Sequence, residues 1–169
     1  KLELIIMGGT FTATPEEYQE EFVSDAFAAA NDFSEMFFTH GKFDAGKFND
    51  FYSATAADTN QRLMQMKSGT DVEAQHARNE KARARIVTLC IETKPDWSKE
   101  AHINEMLRLG ATRVELGTQS IYNEVLKATN RVHTVEDTIE ATRLLKDSGL
   151  KVTYHMMPGQ PLCSREKDI

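Results

Sequence analysis

The sequence predicts an α/β fold of the partial (β/α) barrel type, with about four parallel strands and a helical insertion. Short apolar strands near residues 2–7, 86–91, 113–117 and 151–155 alternate with helical segments, which favours parallel strands joined by right-handed crossovers. Each strand also runs directly into polar, loop-forming residues, as is typical of the carboxyl ends of barrel strands. Because four strands cannot close an eight-stranded barrel, we expect a partial barrel or a small open sheet.

Composition and charge narrow the classes of function. The chain of 169 residues has a net charge of −6, so its composition gives no support for a broad nucleic-acid-binding surface. No apolar run approaches the ~20 residues of a bilayer span, and we expect no membrane partner. Cys90 and Cys163 are far apart in sequence, so we expect no metal ligands in this chain and a reduced, cytoplasmic setting. A start in mid-strand without an initiator Met predicts a fragment.

The first helix has a clear start signal. Thr14, Pro15 and Glu17 have the order of a capping box with proline at the first helical position. We expect the helix to reach about Asn31. Its predicted apolar stripe consists of Tyr18, Phe22 and Ala26.

The segment of about residues 34–82 is predicted to be a helical insertion. All nine phenylalanines lie within the first 51 residues, and six fall between Phe33 and Phe51. We interpret the insertion as packing on the barrel exterior, with a substrate-binding lid as the alternative. A capping-box pattern from Thr70 to Glu73 predicts a further polar helix in this segment.

The second half of the chain predicts three helices between its strands. Ser98 or Asp96 would cap the first, and Thr134 heads a capping box for the third. Gly110 and Gly149 are placed to end the first and third helices. The other predicted features are a short helix over about 121–128 and the core positions Ile103, Met106, Leu107, Val135, Ile139, Thr142 and Leu145.

The loops after the first two strands contain candidate binding residues, because ligands gather at the carboxyl ends of parallel strands. The Gly8-Gly9-Thr10 segment would let a ligand approach the backbone closely, although a tight turn also explains the glycines. Glu92 continues an apolar strand, where a carboxylate is costly unless it is solvated or paired. It would accept hydrogen bonds from an amine or a ribose, or else pair with Lys94 or Arg113.

Polar side chains also follow the later strands. Gln119 offers both a donor and an acceptor, and Arg131 suits bidentate pairing with a carboxylate. His155 ends the last strand, as a ligand-binding group or as a structural histidine. Met157 would pack on a flat ring or fill the core. Taken singly, each of these residues is also explained by an ordinary structural or surface role.

Five segments in order resemble radical S-adenosylmethionine (SAM) enzymes and, more narrowly, the family of the catalytic subunit of Elongator and its archaeal homologues. They are LIIMGGTFTA (4–13), IETKPD (91–96), RVELGTQSIY (113–122), NRVHTVED (130–137) and YHMMPG (154–159). The resemblance implies a partial (β/α)6 barrel that holds S-adenosylmethionine and a 4Fe–4S cluster. It further implies a tRNA carboxymethyluridine synthase, in which a 5′-deoxyadenosyl radical activates acetyl-coenzyme A for addition to the wobble uridine.

The resemblance also implies which residues surround S-adenosylmethionine. They are Gly8, Gly9, Thr10, Glu92, Gln119, Arg131, His155, Met157 and Gly159. The two glycines would meet the methionyl amino group, while the carboxylate, amide and imidazole side chains would face the amino group or the ribose. The arginine would bind the methionyl carboxylate, and the stretch from Met157 to Gly159 would line the adenine. The resemblance assigns no catalytic residue within this chain.

The resemblance places two parts of the enzyme outside the chain. The cluster cysteines are expected before Lys1 and the acetyltransferase domain after Ile169, so residues 1–169 would be a central barrel segment, inactive alone. The full-length protein would bind tRNA through other parts and associate with Elongator-type proteins. Three alternatives remain open: another radical SAM enzyme such as oxygen-independent coproporphyrinogen oxidase, a cluster-free scaffold that only binds RNA or a partner, and an ordinary (β/α) barrel enzyme.

Overall fold

The computed structural model describes residues 1–67 and 71–168, which contain six strands and eight α-helices. The strands are β1 Leu2–Ile6, β2 Phe38–Thr39, β3 Lys42–Phe43, β4 Ile86–Thr93, β5 Arg113–Gln119 and β6 Lys151–Met156. The α-helices are α1 Glu16–Phe37, α2 Ala45–Tyr52, α3 Ala56–Met66, α4 Val72–Asn79, α5 Glu100–Arg108, α6 Asn123–Ala128, α7 Val135–Asp147 and α8 Arg165–Asp168. No helix in these two ranges is both long enough and apolar enough to cross a membrane.

Strands β1, β4, β5 and β6 form a parallel sheet in that order, which confirms the predicted fold class. The β4–β5 register places Glu92 opposite Glu115. In the β5–β6 pair, Leu116 lies opposite Tyr154, and the register shifts between Leu116 and Gln119. Because the strands of a parallel sheet point the same way, the loops that follow them lie along one edge.

The chain divides into two compact units. One contains Lys1–Glu3 and Glu17–Val87, and the other contains Leu4–Glu16 and Thr88–Ile169. The first, the helical unit, holds most of α1, the antiparallel pair β2–β3 and helices α2 to α4. The second, the sheet unit, holds the loops that follow the strands of the main sheet. Its largest buried side chains include Leu89, Ile91, Ile103, Met106, Leu116, Leu126 and Leu145.

The helical unit is held by a small core and by hydrogen bonds from buried amides. The Asn79 side chain donates to the carbonyl of Ile86 at 2.7 Å and accepts from its N–H at 2.9 Å, as a neighbouring strand would. The Asn31 side chain donates to the carbonyl of Gln75 at 3.0 Å. These bonds satisfy polar groups that would otherwise be costly to bury.

The segment between α1 and β4 contains helices, as predicted, and also the short β2–β3 hairpin. The phenylalanines of this segment pack with Tyr52 and with two phenylalanines at the end of α1 in one aromatic cluster, with ring centroids as close as 4.7 Å. The members are Phe33, Phe37, Phe38, Phe43, Phe48, Phe51 and Tyr52. Packing within the unit therefore explains the concentration of phenylalanines. Helix α4 is capped by Asp71, which accepts from Ala74 N–H at 2.8 Å, while Thr70 lies outside the described residues.

Helix α1 differs from the prediction in its end and in its buried face. It continues past Asn31 to Phe37. The predicted stripe is wrong, because Tyr18 and Phe22 are 50% and 42% exposed. The buried positions lie one residue further along the helix and include Gln19, Val23, Phe27 and Ala30.

Helix α7 begins as predicted. The Thr134 hydroxyl accepts from Asp137 N–H at 3.2 Å, and the Asp137 carboxylate accepts from Thr134 N–H at 3.0 Å. Gly149 follows the helix with a φ of +79° and is accommodated because glycine has no Cβ. The predicted face is partly wrong, because Ile139 is 64% exposed. The buried positions are Thr138, Ala141 and Leu145.

Helix α5 begins later than predicted. The Ser98 hydroxyl donates to the carbonyl of Lys94 at 3.0 Å instead of capping the helix. Asp96 lies within a short 3-10 helix, and α5 begins at Glu100. Gly110 follows the helix, as predicted, with a φ of +86°.

The capping box of α7 should make the folding stability of the chain depend on pH. The Lys99 ammonium, 2.9 Å away, and the backbone N–H of Thr134 lower the pKa of Asp137 to about 2. Since this folded-state pKa is below the ordinary value of about 3.9, ionised Asp137 stabilises the fold above pH ~4, and the contribution is lost as pH falls toward 2. Asp137→Asn should therefore cost roughly 1 kcal/mol at pH 7 and almost nothing near pH 2.

Urea denaturation of the wild-type and variant chains at both pH values measures this difference. Asp147→Asn, at the opposite end of the same helix, is the matched control. Asp147 pairs with Arg143 at 3.0 Å on the surface, so its loss should cost at most a few tenths of a kcal/mol. An equal cost for both variants, or a cost at Asp137 that persists at pH 2, would contradict the assignment.

Candidate functional site

The loop after β1 presents bare backbone to open space. Gly8 and Gly9 have φ values of +97° and +66°, which L-residues with a side chain rarely adopt. No heavy atom lies within 4 Å of the position that a Cβ would take at either glycine. Backbone geometry, and not crowding, therefore requires glycine here, and the open space leaves room for a ligand. Thr10 directly follows, and its carbonyl accepts from Ala13 N–H at 2.9 Å.

A buried pair of threonines anchors this loop beside β4. Thr12 and Thr93 are 4% and 1% exposed, and their hydroxyl oxygens are 2.6 Å apart. The Thr12 hydroxyl also lies 3.2 Å from the carbonyl of Trp97, to which it donates. Such bonds fix the position of the glycines relative to the end of β4.

Glu92 connects two of the strand ends. One carboxylate oxygen accepts from Gly8 N–H at 3.1 Å, and the other lies 3.1 Å from Nδ1 of His155. The alternative partner Lys94 pairs with Asp96 at 3.3 Å. The Glu92 side chain is 25% exposed, so it is held in place and still accessible.

Glu115 completes this group, although it was not among the predicted site residues. Its carboxylate lies 2.9 Å from Nε2 of His155, and its side chain is 14% exposed. A carboxylate between the buried apolar residues Val114 and Leu116 was the signal in the sequence. The role of this carboxylate depends on the β4–β5 register, because that register places Glu115 beside Glu92.

Gln119 lies at the end of β5 in a strained conformation. Its φ is +67°, a left-handed value that costs a non-glycine residue about 1–2 kcal/mol. Its carbonyl accepts from Met157 N–H at 2.9 Å, and its side-chain nitrogen lies 3.5 Å from the carbonyl of His155. The side-chain oxygen is buried and has no hydrogen-bond partner within residues 1–67 and 71–168. A buried acceptor of this kind is available to a ligand.

The residues after β6 form one wall of a groove of about 380 Å³ that also includes Gln119. Met157 is 49% exposed on this wall. Gly159 has a φ of +75°, and its N–H donates to the Asp168 carboxylate at 2.8 Å. The groove combines apolar side chains such as Met157 with the polar residue Gln119, which suits a flat polar ring.

The structure therefore brings most of the predicted site residues together and leaves Arg131 apart. Hydrogen bonds connect Gly8, Glu92 and His155, and the side-chain nitrogen of Gln119 donates to the backbone carbonyl of His155. Arg131 follows α6 and lines a different groove, together with Asn123, Lys127, Asn130 and His133. No group of three metal-ligating side chains suited to a metal ion occurs in the described part of the chain.

Comparison with known proteins identifies the family. The model of the radical SAM superfamily matches residues 3–169. The chain belongs to the radical SAM superfamily. A solved structure described as the archaeal Methanocaldococcus infernus Elp3 with an N-terminal deletion matches this radical SAM chain with a TM-score of 0.75 at 47% identity. That match covers 98% of the chain and 31% of the solved chain.

Curated relatives support the narrower resemblance. A tRNA uridine(34) acetyltransferase from Methanocaldococcus infernus is 47% identical over 168 residues, which is 99% of this radical SAM chain and 25% of the relative. Elongator complex protein 3 from Homo sapiens is 34% identical over 169 residues, again 25% of the relative. The resemblance to the Elongator catalytic subunit is thereby confirmed. The chain spans about a quarter of the length of these relatives.

The glycine loop provides a stability test. Gly9→Ala should destabilise the radical SAM chain by about 1 kcal/mol, because a Cβ opposes positive φ even where space is open. Gly9→Asn is the matched variant and should cost less, since asparagine tolerates the left-handed region. Urea denaturation measures both. Equal costs for alanine and asparagine would show that φ is not the constraint at this position.

Proposed function

We propose that this chain is the S-adenosylmethionine-binding centre of a radical SAM transferase that modifies the wobble uridine of tRNA. The full-length protein would use acetyl-coenzyme A to make carboxymethyluridine. The superfamily match and the names of the relatives support this proposal. The observation that carries the binding role is the convergence of Gly8, Glu92, Gln119 and His155 on one edge of the sheet.

Two features of the site fit S-adenosylmethionine. The buried side-chain oxygen of Gln119 accepts from an amino or hydroxyl group, which the cosubstrate carries on its methionyl and ribose parts. The open space over Gly8 and Gly9 admits the methionyl end close to the backbone. When bound, S-adenosylmethionine supplies the radical chemistry of the superfamily.

Each part of the cosubstrate has a partner of suitable chemistry. Glu92 accepts from the methionyl ammonium or the ribose, because it uses only one hydrogen bond per oxygen within the site. The wall from Met157 to Gly159 packs against the adenine. Arg131, which lines a separate groove, would pair with the methionyl carboxylate through its guanidinium group.

The thiols of this chain do not fit a 4Fe–4S cluster. Cys90 is fully buried within β4, and Cys163 lies just before α8. Such clusters require several thiolates at close spacing. We infer that the cluster ligands belong to another part of the full-length protein and that the isolated chain is inactive.

Other proposed partners follow from charge and from the relatives. The net charge of −6 argues that tRNA is bound mainly through other parts of the protein. An acetyltransferase domain outside these residues would hold acetyl-coenzyme A. Elongator-type proteins are the proposed protein partners, and the cytoplasm is the proposed location.

The test uses the full-length protein with its cluster reconstituted without oxygen. Mass spectrometry of tRNA should detect carboxymethyluridine only when S-adenosylmethionine and acetyl-coenzyme A are both present. Arg131→Met should weaken S-adenosylmethionine binding by roughly 2–4 kcal/mol, the scale for removing one member of a buried charge pair. Calorimetry measures that affinity, and tRNA binding should stay unchanged.

Lys127→Met is the matched control, because Lys127 lines the same groove as Arg131 and its substitution also removes one positive charge. Its affinity for S-adenosylmethionine should remain near that of the wild type. Equal affinities for all three proteins would exclude Arg131 from the site. A wild-type protein that does not bind S-adenosylmethionine would exclude the proposed function itself.

A further inference from the structure

We propose that Glu115 is a positioning residue for the S-adenosylmethionine site, acting through His155 on Glu92. This inference rests on the proposed function, since the site that it concerns is the proposed cosubstrate site. Glu115 lies within β5, and in this arrangement it does not itself contact the cosubstrate. Its role is to hold the imidazole that orients the ligand-binding carboxylate.

The sheet register brings two carboxylates together, and the His155 ring lies between them. Glu92 and Glu115 are direct neighbours on adjacent strands, and like charges directly opposite each other destabilise a sheet. Their side chains are only 25% and 14% exposed, so water screens the repulsion incompletely. The His155 ring lies between the two carboxylates, at 3.1 Å from one and 2.9 Å from the other.

Contacts at both ring nitrogens hold the His155 imidazole in place. An ionised carboxylate only accepts hydrogen bonds, and a neutral imidazole has one N–H and one bare nitrogen. Both ring nitrogens of His155 lie within hydrogen-bond distance of a glutamate, Nδ1 at 3.1 Å from Glu92 and Nε2 at 2.9 Å from Glu115. With both ring nitrogens engaged, the imidazole has no nitrogen left for a ligand, and it cannot rotate without losing a bond.

The locked ring fixes the ligand-binding groups in turn. His155 holds one oxygen of Glu92, and the other oxygen of Glu92 holds the N–H of Gly8. The chain of contacts from Glu115 therefore reaches the glycine loop across three strands. Without Glu115, His155 keeps one carboxylate contact and is free to turn, so Glu92 loses its fixed orientation.

Two substitutions at position 115 separate the effect of side-chain length from the effect of side-chain charge. Glu115→Gln keeps the length of the side chain, and its amide can donate to a bare Nε2 while Nδ1–H donates to Glu92, so both ring nitrogens keep a partner. Glu115→Asp keeps the carboxylate but is one methylene shorter, which withdraws it from the ring. We expect S-adenosylmethionine affinity within about threefold of wild type for Gln and about tenfold weaker for Asp, the scale of a lost charge-assisted hydrogen bond.

Calorimetry on the cluster-loaded, full-length protein measures both affinities. Glu140→Gln and Glu140→Asp are matched controls, because Glu140 is exposed on α7 and pairs with Arg143 at 2.8 Å. Both should leave the affinity unchanged. The reverse order at position 115, with Asp near wild type and Gln weak, would show that charge alone matters and would overturn the inference. Equal wild-type affinity for both variants would overturn it as well.

A double-mutant cycle tests whether Glu115 acts through the histidine. If it does, Glu115→Asp should cause little further loss of affinity when His155→Leu is already present. Additive losses would contradict that route. Failure of this inference can be told apart from failure of the proposed function. If only the inference fails, the wild type still binds S-adenosylmethionine and Arg131→Met weakens that binding. If the proposed function fails, the wild type does not bind S-adenosylmethionine.

Discussion

Two glutamates placed side by side on neighbouring strands are the constraint on which the site depends. Glu92 and Glu115 are partly buried direct neighbours, an unfavourable position for two like charges, and the His155 ring contacts both carboxylates. The arrangement exists only when β4, β5 and β6 keep their register. A slip of one residue would turn Glu115 to the opposite face of the sheet, because successive side chains alternate. The geometry of the site is thus a direct consequence of strand pairing.

Features set by local chemistry were predicted from the sequence. The Gly8-Gly9 turn, the capping box at Thr134 and the helix ends at Gly110 and Gly149 each depend on residues close in the chain. Features set by tertiary packing were not predicted. Tyr18 and Phe22 have helical spacing, yet the helix buries the neighbouring row that contains Val23 and Phe27. Glu115 was missed for the same reason, since its partners come from other strands.

These residues provide some of the groups that the proposed enzyme needs and lack others. This chain provides a glycine loop, a fixed carboxylate, a free amide oxygen and an apolar wall, which together suit a nucleoside with an amino-acid chain. It provides neither a close set of thiols nor a broad basic surface. In the proposed enzyme, the cluster ligands, the acetyl-coenzyme A site and most of the tRNA contacts would lie outside these residues.

A crystal structure of the full-length protein with S-adenosylmethionine would show where the cosubstrate lies relative to these residues. We expect the methionyl ammonium or the ribose within hydrogen-bond distance of Glu92, the adenine against Met157, and both ring nitrogens of His155 still in contact with the two glutamates. Clear density for S-adenosylmethionine at another edge of the sheet, without contact to Glu92 or Gln119, would contradict this expectation.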